Sequence, residues 1–252
     1  MKKFLGQNFL KSASVLRYEA SLVNVEEKNV LEIGAGDGRL SEKIIEGKPA
    51  KLVLVEKDRE FAKMLKERFA GEKCVEVRGE DVLETDLKGI DAVFGNIPYY
   101  LSSPILFLLA KSQVKECVLC VQKEFAQRLV AKAGSAEYGR LSVSSGAYFD
   151  IALKRVVPAG LFFPKPKVDS AIVALKRKEG GEMDVFEEEF VMKIFSHRRQ
   201  KLKKAIQHSY GKKNAAKKEA IDKSEFADRK VYTLSEGEIK RAARELRGIL
   251  HG

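Results

Sequence analysis

Short apolar runs alternate with helix-like segments over residues 29–121, and this alternation leaves few possible folds. The apolar runs predict buried strands, whereas stripes at helical spacing, such as Phe61, Leu65 and Phe69, predict helices that pack on a core. The predicted strands are Asn29–Ile33, Lys51–Val55, Cys74–Val77, Ile90–Phe94 and Cys117–Val121. Strands separated by helices indicate an α/β fold, a doubly wound, Rossmann-like and mostly parallel sheet.

A glycine-rich turn, residues 34–38, follows the first predicted strand and precedes a helix from about Arg39 to Glu46. Such a turn lets the backbone approach a nucleotide-like ligand closely. Arg39 stands where the dinucleotide fingerprint needs its third glycine, which weakens an interpretation as a nicotinamide-dependent dehydrogenase. No glycine-lysine-serine sequence follows, so a phosphate-binding P-loop is excluded.

Acidic residues stand at the ends of the second and third predicted strands. Glu56 lies about 20 residues after the glycines, where a carboxylate can accept hydrogen bonds from ribose hydroxyls. Asp81 ends the third strand and could accept a hydrogen bond from an adenine amino group. Either acid alone could be a solvated loop residue, but two beside a glycine-rich turn favour an adenosine-containing ligand.

The fourth predicted strand is followed by Asn96-Ile97-Pro98-Tyr99. Proline restricts the backbone here, so the Asn96 amide and the Pro98 carbonyl can be directed at one point, with Tyr99 as a flat wall beside it. Two acceptor oxygens and an aromatic face suit the exocyclic amino group of a planar base. A simple strand-to-helix turn also favours asparagine and proline, and this interpretation stays open on the tetrad alone.

A change in composition near residues 176–181 predicts two domains. Residues 1–177, with an N-terminal segment 1–11, would form the ligand-binding domain. Strand-like runs at Ser145–Val157 and Val168–Leu175 close this domain, and the proline-containing stretch Leu161–Lys167 between them is predicted to be a loop. Residues 178–252 show helical patterns and predict a small basic helical domain that binds RNA.

The formal net charge of +11 points to a polyanionic partner, with nucleic acid as the first candidate and an anionic membrane as the second. Residues 197–218 contain nine Lys or Arg and no acid. A stretch of one sign over several helical turns favours contact with phosphates. The predicted RNA-binding residues are Arg198, Arg199, Lys201, Lys203 and Lys204.

Several classes of protein are disfavoured by what the sequence lacks. No apolar run approaches the roughly 18 residues of a membrane span, and the N-terminus lacks the apolar core of a signal peptide. We therefore expect a cytoplasmic protein that does not bind membranes. Cys117 and Cys120 fall on one predicted buried strand and point to opposite faces, so we interpret them as structural. The three histidines have no partners at ligand spacing, and no metal is predicted.

A series of motifs, in order from residue 6 to about 206, resembles the small-subunit rRNA adenine N6-dimethyltransferases, a family of class I methyltransferases that use S-adenosylmethionine. The matching stretches are Gly6–Leu10, Glu32–Gly36, Asn96–Tyr99, Gln122–Glu124, Tyr138–Val143, Phe162–Ser170 and Arg198–Leu202. The resemblance implies the cofactor S-adenosyl-L-methionine, dimethylation of two adjacent adenosines near the 3′ end of small-subunit rRNA, and a monomer that acts on a small ribosomal subunit precursor.

The resemblance also implies roles for individual cofactor-binding residues. Asn8 and Leu10 would close over the cofactor, and Gly34 would let the backbone approach its methionine end. Glu56 would hold the ribose, and Asp81 would contact the adenine.

In the second part of the implied site, Asn96 and Pro98 would accept hydrogen bonds from the target N6 amino group, with Asn96 also beside the cofactor. Tyr99 would stack on the target base. Phe162, with Phe163 as second choice, would cover its opposite face.

Two alternatives remain open from the sequence. The chain could methylate adenine in large-subunit rRNA or in DNA, although asparagine at the start of the tetrad disfavours many DNA adenine enzymes. It could also be a non-catalytic RNA-binding factor of ribosome assembly that retains the fold. The intact carboxylates and tetrad favour catalysis over this second alternative.

Overall fold

A computed structural model describes residues 8–211 and 215–251, which form two compact units. The first unit contains the chain up to Ala126 together with residues 150–177, and the second contains residues 127–149 and the chain from Lys178 onward. This division differs from the predicted domains, because residues 127–149 group with the C-terminal helices and not with the predicted ligand-binding domain.

The strands form one large and one small sheet. In chain order they are β1 (Phe9–Leu10), β2 (Asn29–Ile33), β3 (Lys51–Val55), β4 (Val75–Arg78), β5 (Ala92–Asn96), β6 (Glu116–Gln122), β7 (Phe149–Val157), β8 (Phe162–Phe163) and β9 (Ser170–Arg177). The large sheet has the order β4-β3-β2-β5-β6-β9-β7. Strands β2 to β6 pair in parallel, and β9 pairs antiparallel with β6. The predicted mostly parallel α/β sheet is confirmed.

The central parallel strands consist mostly of buried apolar residues, as expected for a sheet that helices cover on both faces. Val30, Leu52, Leu54 and Phe94 have no exposed surface. The chain adds strands on one side of β2 as far as β4 and then continues on the other side with β5, so the strand order reverses between β2 and β5. Open sheets of this kind bind ligands outside the carboxyl ends of the strands at that point.

Helices connect the parallel strands in the first unit and make up most of the second unit. In chain order they are α1 (Ala13–Ala20), α2 (Arg39–Ile45), α3 (Arg59–Arg68), α4 (Ser102–Lys111), α5 (Lys123–Leu129), α6 (Arg140–Gly146), α7 (Val185–Phe195), α8 (Leu202–Tyr210), α9 (Ala215–Lys223) and α10 (Glu236–His251). Within the described residues, no helix combines the length and the apolar character needed to cross a membrane.

Two strand and loop predictions need correction. The run Ser145–Val157 is not strand throughout, because α6 continues to Gly146 and β7 begins only at Phe149. The stretch Leu161–Lys167 is not only a loop, because Phe162 and Phe163 form β8, which pairs antiparallel with β1. Leu10 pairs with Phe162 in this small sheet, which holds the N-terminal segment against the loop that precedes β9.

Helix α7, in the second unit, begins with a capping box. The Asp184 side chain accepts a hydrogen bond from the Glu187 N–H, and the Glu187 side chain accepts one from the Asp184 N–H. Arg244 on α10 donates its Nε–H to the buried Glu187 carboxylate at 2.9 Å. Reciprocal capping and this ion pair fix the start of α7 against α10.

Candidate active site

A pocket in the first unit opens at the carboxyl ends of the parallel strands. Its empty volume is about 1090 Å³, part of it open to solvent. All residues predicted for cofactor binding or catalysis line it: Asn8, Leu10, Gly34, Glu56, Asp81, Asn96, Pro98, Tyr99 and Phe162. Residues 1–7, which include the predicted motif members Gly6 and Gln7, lie outside the described residues. The structure thus brings together the two parts of the predicted site, whereas the individual roles remain predictions.

The glycine-rich turn between β2 and α2 requires glycine at particular positions. Gly34 and Gly36 have φ angles of +65° and +53°, a conformation that costs other residues free energy. A Cβ at Gly34 would have no heavy atom within 4 Å, so the backbone there is open to a close ligand. A Cβ at Gly36 would lie 2.7 Å from the Phe9 ring, so this glycine lets β1 approach the turn.

Glu56 ties the glycine-rich turn to the end of β3. Its Oε2 accepts a hydrogen bond from the Gly36 N–H at 2.9 Å, and its Oε1 accepts one from the Asp58 N–H at 2.9 Å. The residue is only 6% exposed, and burial raises its pKa although these backbone hydrogen bonds oppose the shift. Each oxygen keeps a further lone pair, so the carboxylate can still accept from a ligand.

Asp81 is held as an anion at the end of β4. The Lys57 Nζ lies 2.6 Å from its Oδ2, and the Leu83 N–H donates to its Oδ1 at 3.0 Å. The hydrogen bond from Lys57 is the main reason that the pKa of Asp81 is lowered. The second predicted carboxylate therefore enters the pocket charged and with its orientation fixed.

The two acceptors of the tetrad have different surroundings. Asn96 ends β5, and its Oδ1 is buried with no hydrogen-bond partner among the described residues. The Pro98 carbonyl accepts a hydrogen bond from the Leu101 N–H at 2.9 Å, which closes a short 3-10 turn. The prediction that this carbonyl is available to a base therefore depends on its second lone pair.

Two aromatic side chains form walls of the pocket. The Tyr99 hydroxyl lies 2.8 Å from the Ser170 Oγ. This contact fixes the ring beside the first residue of β9. Phe162 lines the pocket and is 6% exposed. Phe163 is 56% exposed and points elsewhere, with the Lys11 Nζ 4.1 Å from its ring centroid. Between the two candidates for the opposing face, the geometry favours Phe162.

Two buried carboxyl groups in or beside the pocket have no role predicted from the sequence. Glu32 on β2 lines the pocket, and its Oε2 accepts a hydrogen bond from the Ser41 hydroxyl at 2.6 Å. Glu19 on α1 is fully buried. Burial is the largest cause that raises the pKa of each to about 8. Glu19 was detectable, because it lies three residues after Leu16 on the apolar face of α1.

The cysteines of β6 are both buried and both reduced. Cys120 lines the pocket, whereas Cys117 does not. Burial raises the pKa of the Cys117 thiol to about 12 and that of Cys120 well above its ordinary value. Neither thiol is therefore available as a thiolate nucleophile.

Three of the five predicted RNA-binding side chains have partners within the second unit. Arg198 donates to the Tyr138 carbonyl at 2.6 Å and to the Ala136 carbonyl at 3.0 Å. Lys201 and Lys203 each lie 2.9 Å from one oxygen of a single carboxylate, that of Asp228. The predicted stretch of one sign is therefore partly neutralised in the folded chain, because Asp228, an acid distant in sequence, pairs with two of its lysines.

Arg199 and Lys204 differ from these three. Both are exposed, and neither forms an ion pair with a residue that the structure describes. The predicted basic stretch continues through residues 212–217, and the side chains of these residues lie outside the described part of the chain. Arg199 and Lys204 are thus the two described cations of the set most available to a phosphate.

The sheet order and the pocket at its reversal point are those of a class I methyltransferase. The chain belongs to the ribosomal RNA adenine dimethylase family, whose family model matches residues 1–243. The family resemblance inferred from the motifs is confirmed.

Individual relatives agree with this assignment. The chain is 35% identical over 243 residues to the probable ribosomal RNA small subunit methyltransferase A of Thermococcus sibiricus, with 94% of this chain and 88% of the relative covered. It is 35% identical over 252 residues to the ribosomal RNA small subunit methyltransferase A of Ligilactobacillus salivarius, with 93% and 85% covered. The crystal structure of a dimethyladenosine transferase from Plasmodium falciparum matches with a TM-score of 0.87 at 25% identity, covering 96% of this chain and 98% of that one.

Proposed function

We propose that this protein transfers methyl groups from S-adenosyl-L-methionine to the N6 amino group of two adjacent adenosines near the 3′ end of small-subunit rRNA. Family membership and the names of the relatives support the substrate class. The observation that carries the proposal is that the glycine-rich turn, the carboxylates Glu56 and Asp81, and the Asn96–Tyr99 tetrad all line one pocket.

The residues of the pocket fit the cofactor. S-adenosyl-L-methionine supplies a methyl group already activated by its sulfonium. The open space at Gly34 suits the close approach of its methionine end, and the carboxylates of Glu56 and Asp81 suit the ribose and the adenine. In this proposal Asn8 and Leu10 cover the bound cofactor.

The tetrad would make the target nitrogen reactive. The N6 lone pair of adenine is delocalised into the ring, so acceptors for its hydrogens favour sp³ character and return the lone pair to nitrogen. Asn96 Oδ1 and the second lone pair of the Pro98 carbonyl are the proposed acceptors. Orientation for in-line displacement then contributes most of the remaining acceleration. The proton released from the product amine would pass to solvent.

The aromatic walls would hold a base that has left its stack. Tyr99 and Phe162 would cover the two faces of the adenine. Base–aromatic stacking contributes about 1–3 kcal/mol per base and offsets part of the cost of unstacking. Arg199 and Lys204 would add phosphate contacts. We further propose that the protein acts as a cytoplasmic monomer on a small ribosomal subunit precursor.

Methyl transfer tests the proposal directly. Labelled S-adenosyl-L-methionine is incubated with small subunits that lack the modification, and with large subunits as an alternative substrate. Label in the small subunit alone is expected. Label in the large subunit alone would show that large-subunit rRNA, and not small-subunit rRNA, is the substrate. Cofactor binding without transfer to any RNA would favour the non-catalytic assembly factor.

An Asn96→Ala variant tests the role of the tetrad. We expect transfer to fall by about a hundredfold or more, the scale of losing one positioned hydrogen-bonding group in an active site, while RNA affinity stays unchanged. Asn24→Ala, at an exposed asparagine outside the pocket, is the matched control. Equal turnover of the Asn96 variant and the wild type would remove Asn96 from the mechanism.

A further inference from the structure

A buried carboxyl group lies behind the pocket wall without a partner of its own. Glu19 has no exposed surface, and neither of its carboxyl oxygens has a hydrogen-bond partner among the described residues. It does not line the pocket. An unpaired buried carboxyl group is costly, and Glu is almost never fully buried unless it is paired. An apolar residue would satisfy the packing of α1 at lower cost, so packing does not explain Glu19.

Three groups that interact with Glu19 come from three strands of the sheet. The Asn96 side chain, at the end of β5, stabilises its ionised form. Glu32 on β2 and the Cys120 thiol on β6 interact with it electrostatically. All three of these residues line the pocket, whereas Glu19 does not. Glu19 can therefore influence the pocket only through its neighbours.

Glu19 and Asn96 both have buried acceptor oxygens that lack a hydrogen-bond donor in the part of the chain that the structure describes. Asn96 Oδ1 is buried and unpartnered, as are both oxygens of Glu19. Acceptor atoms that lack donors are unfavourable in a buried region. Oxygen and nitrogen of an amide have nearly the same shape, so their assignment follows from the hydrogen-bond network. Turning the amide places Nδ2 towards Glu19 and Oδ1 towards the pocket.

We propose that Glu19 is a positioning residue that accepts a hydrogen bond from Asn96 Nδ2 and so directs Asn96 Oδ1 at the amino group of the target base. The inference rests on the proposed function. It adds a residue outside the pocket that determines whether Asn96 presents an acceptor or a donor to the substrate.

The protonation state of Glu19 sets the strength of this effect. An ionised carboxylate only accepts, so it requires Nδ2 on its side and leaves Oδ1 facing the pocket. A protonated carboxyl can instead donate to Oδ1, which turns the donor Nδ2 towards the substrate. Burial raises the pKa values of Glu19 and Glu32 to about 8 each, whereas the Cys120 thiol stays protonated. The methyl-transfer rate should therefore rise with pH through this range.

The kinetic test compares the pH dependence of single-turnover methyl transfer in the wild type, Glu19→Gln and Glu19→Leu. Both variants should lose the part of the pH dependence that Glu19 contributes and keep the part from Glu32. Above the Glu19 transition the glutamine variant should be several-fold slower than the wild type, with the KM for the cofactor unchanged. Glu67→Gln, at an exposed glutamate on α3, is the control for loss of a charge. Variants with the wild-type rate and pH profile would overturn the proposal.

A second measurement does not depend on activity. The carboxyl ¹³C resonance of Glu19, assigned by its loss in Glu19→Gln, is titrated in the wild type and in Asn96→Ala. Loss of the amide donor should raise the pKa of Glu19, and an unchanged pKa would overturn the proposal. If the wild type transfers no methyl to any rRNA, the proposed function fails, whereas this titration still decides whether Glu19 holds Asn96.

Discussion

The buried carboxyl groups of Glu19 and Glu32 predict an unusual dependence of stability on pH. Burial raises the pKa of each from 4.5 to about 8. Between these values the folded protein keeps protons that the unfolded chain has lost. The stabilising contribution of both groups is therefore complete below pH 4.5 and is lost as the pH rises towards 8. Most proteins do not lose stability in this interval, because their carboxylates are paired or exposed.

The magnitude follows from linkage. Each retained proton lowers the free energy of unfolding by about 1.4 kcal/mol per pH unit. Over the interval from pH 4.5 to about pH 8, the titration of one such group lowers the free energy of unfolding by about 5 kcal/mol. Because domains are stable by only about 5–15 kcal/mol, such a loss is easily measured. Electrostatic interaction between Glu19 and Glu32 couples their titrations, so the slope belongs to the pair.

Glu19→Gln removes one of the two protons without changing the shape of the side chain. Urea unfolding of the wild type, this variant and the Glu67→Gln control is measured between about pH 5 and pH 8. The wild type and the control should lose stability as the pH rises, and Glu19→Gln should lose roughly half as much because one titrating group remains. Equal slopes for the variant and the wild type would refute the assignment of a raised pKa to Glu19.

Three further predictions concern the turn and the basic surface. Glu56→Gln should lower the free energy of unfolding by about 1–3 kcal/mol and weaken cofactor binding, because the NH₂ group of the glutamine would face one of two backbone N–H donors. Urea unfolding and calorimetric titration with the cofactor measure the two effects, and wild-type values for both would contradict this prediction. Gly36→Ala should destabilise the fold more than Gly34→Ala, since both strain the backbone but only the first adds a 2.7 Å clash; equal unfolding free energies would contradict this. Replacing Arg199 and Lys204 by Ala should reduce the salt dependence of RNA binding by nearly two units of slope, and an unchanged slope would mean that neither contacts phosphate.

The sequence correctly predicted which residues line the pocket where a candidate residue follows a predicted strand. Glu56, Asp81 and Asn96 were identified because each ends a predicted strand, and the ends of parallel strands meet at one edge of the sheet. Glycine spacing likewise identified the turn that contains Gly34. These features depend on local pattern and on one general rule of sheet topology.

Features that depend on contacts distant in sequence were missed. The pairing of β1 with β8 joins two-residue strands that carry too short a pattern to recognise. The basic surface is smaller than the sequence indicates, because the partner of Lys201 and Lys203 is Asp228, which lies on another segment. The place of Glu19 on the apolar face of α1 is visible in the sequence, but its interactions with Glu32 and Cys120 are not, because β2 and β6 are distant from α1 in sequence.

The measurement that tests the central claim most directly is nucleoside analysis of small-subunit rRNA. Small subunits that lack the modification are incubated with this protein and S-adenosyl-L-methionine, and the rRNA is digested and separated by mass. We expect N6,N6-dimethyladenosine with the wild type and with Asn24→Ala, and its near absence with Asn96→Ala. A methylated nucleoside other than an N6-methylated adenosine would contradict the account.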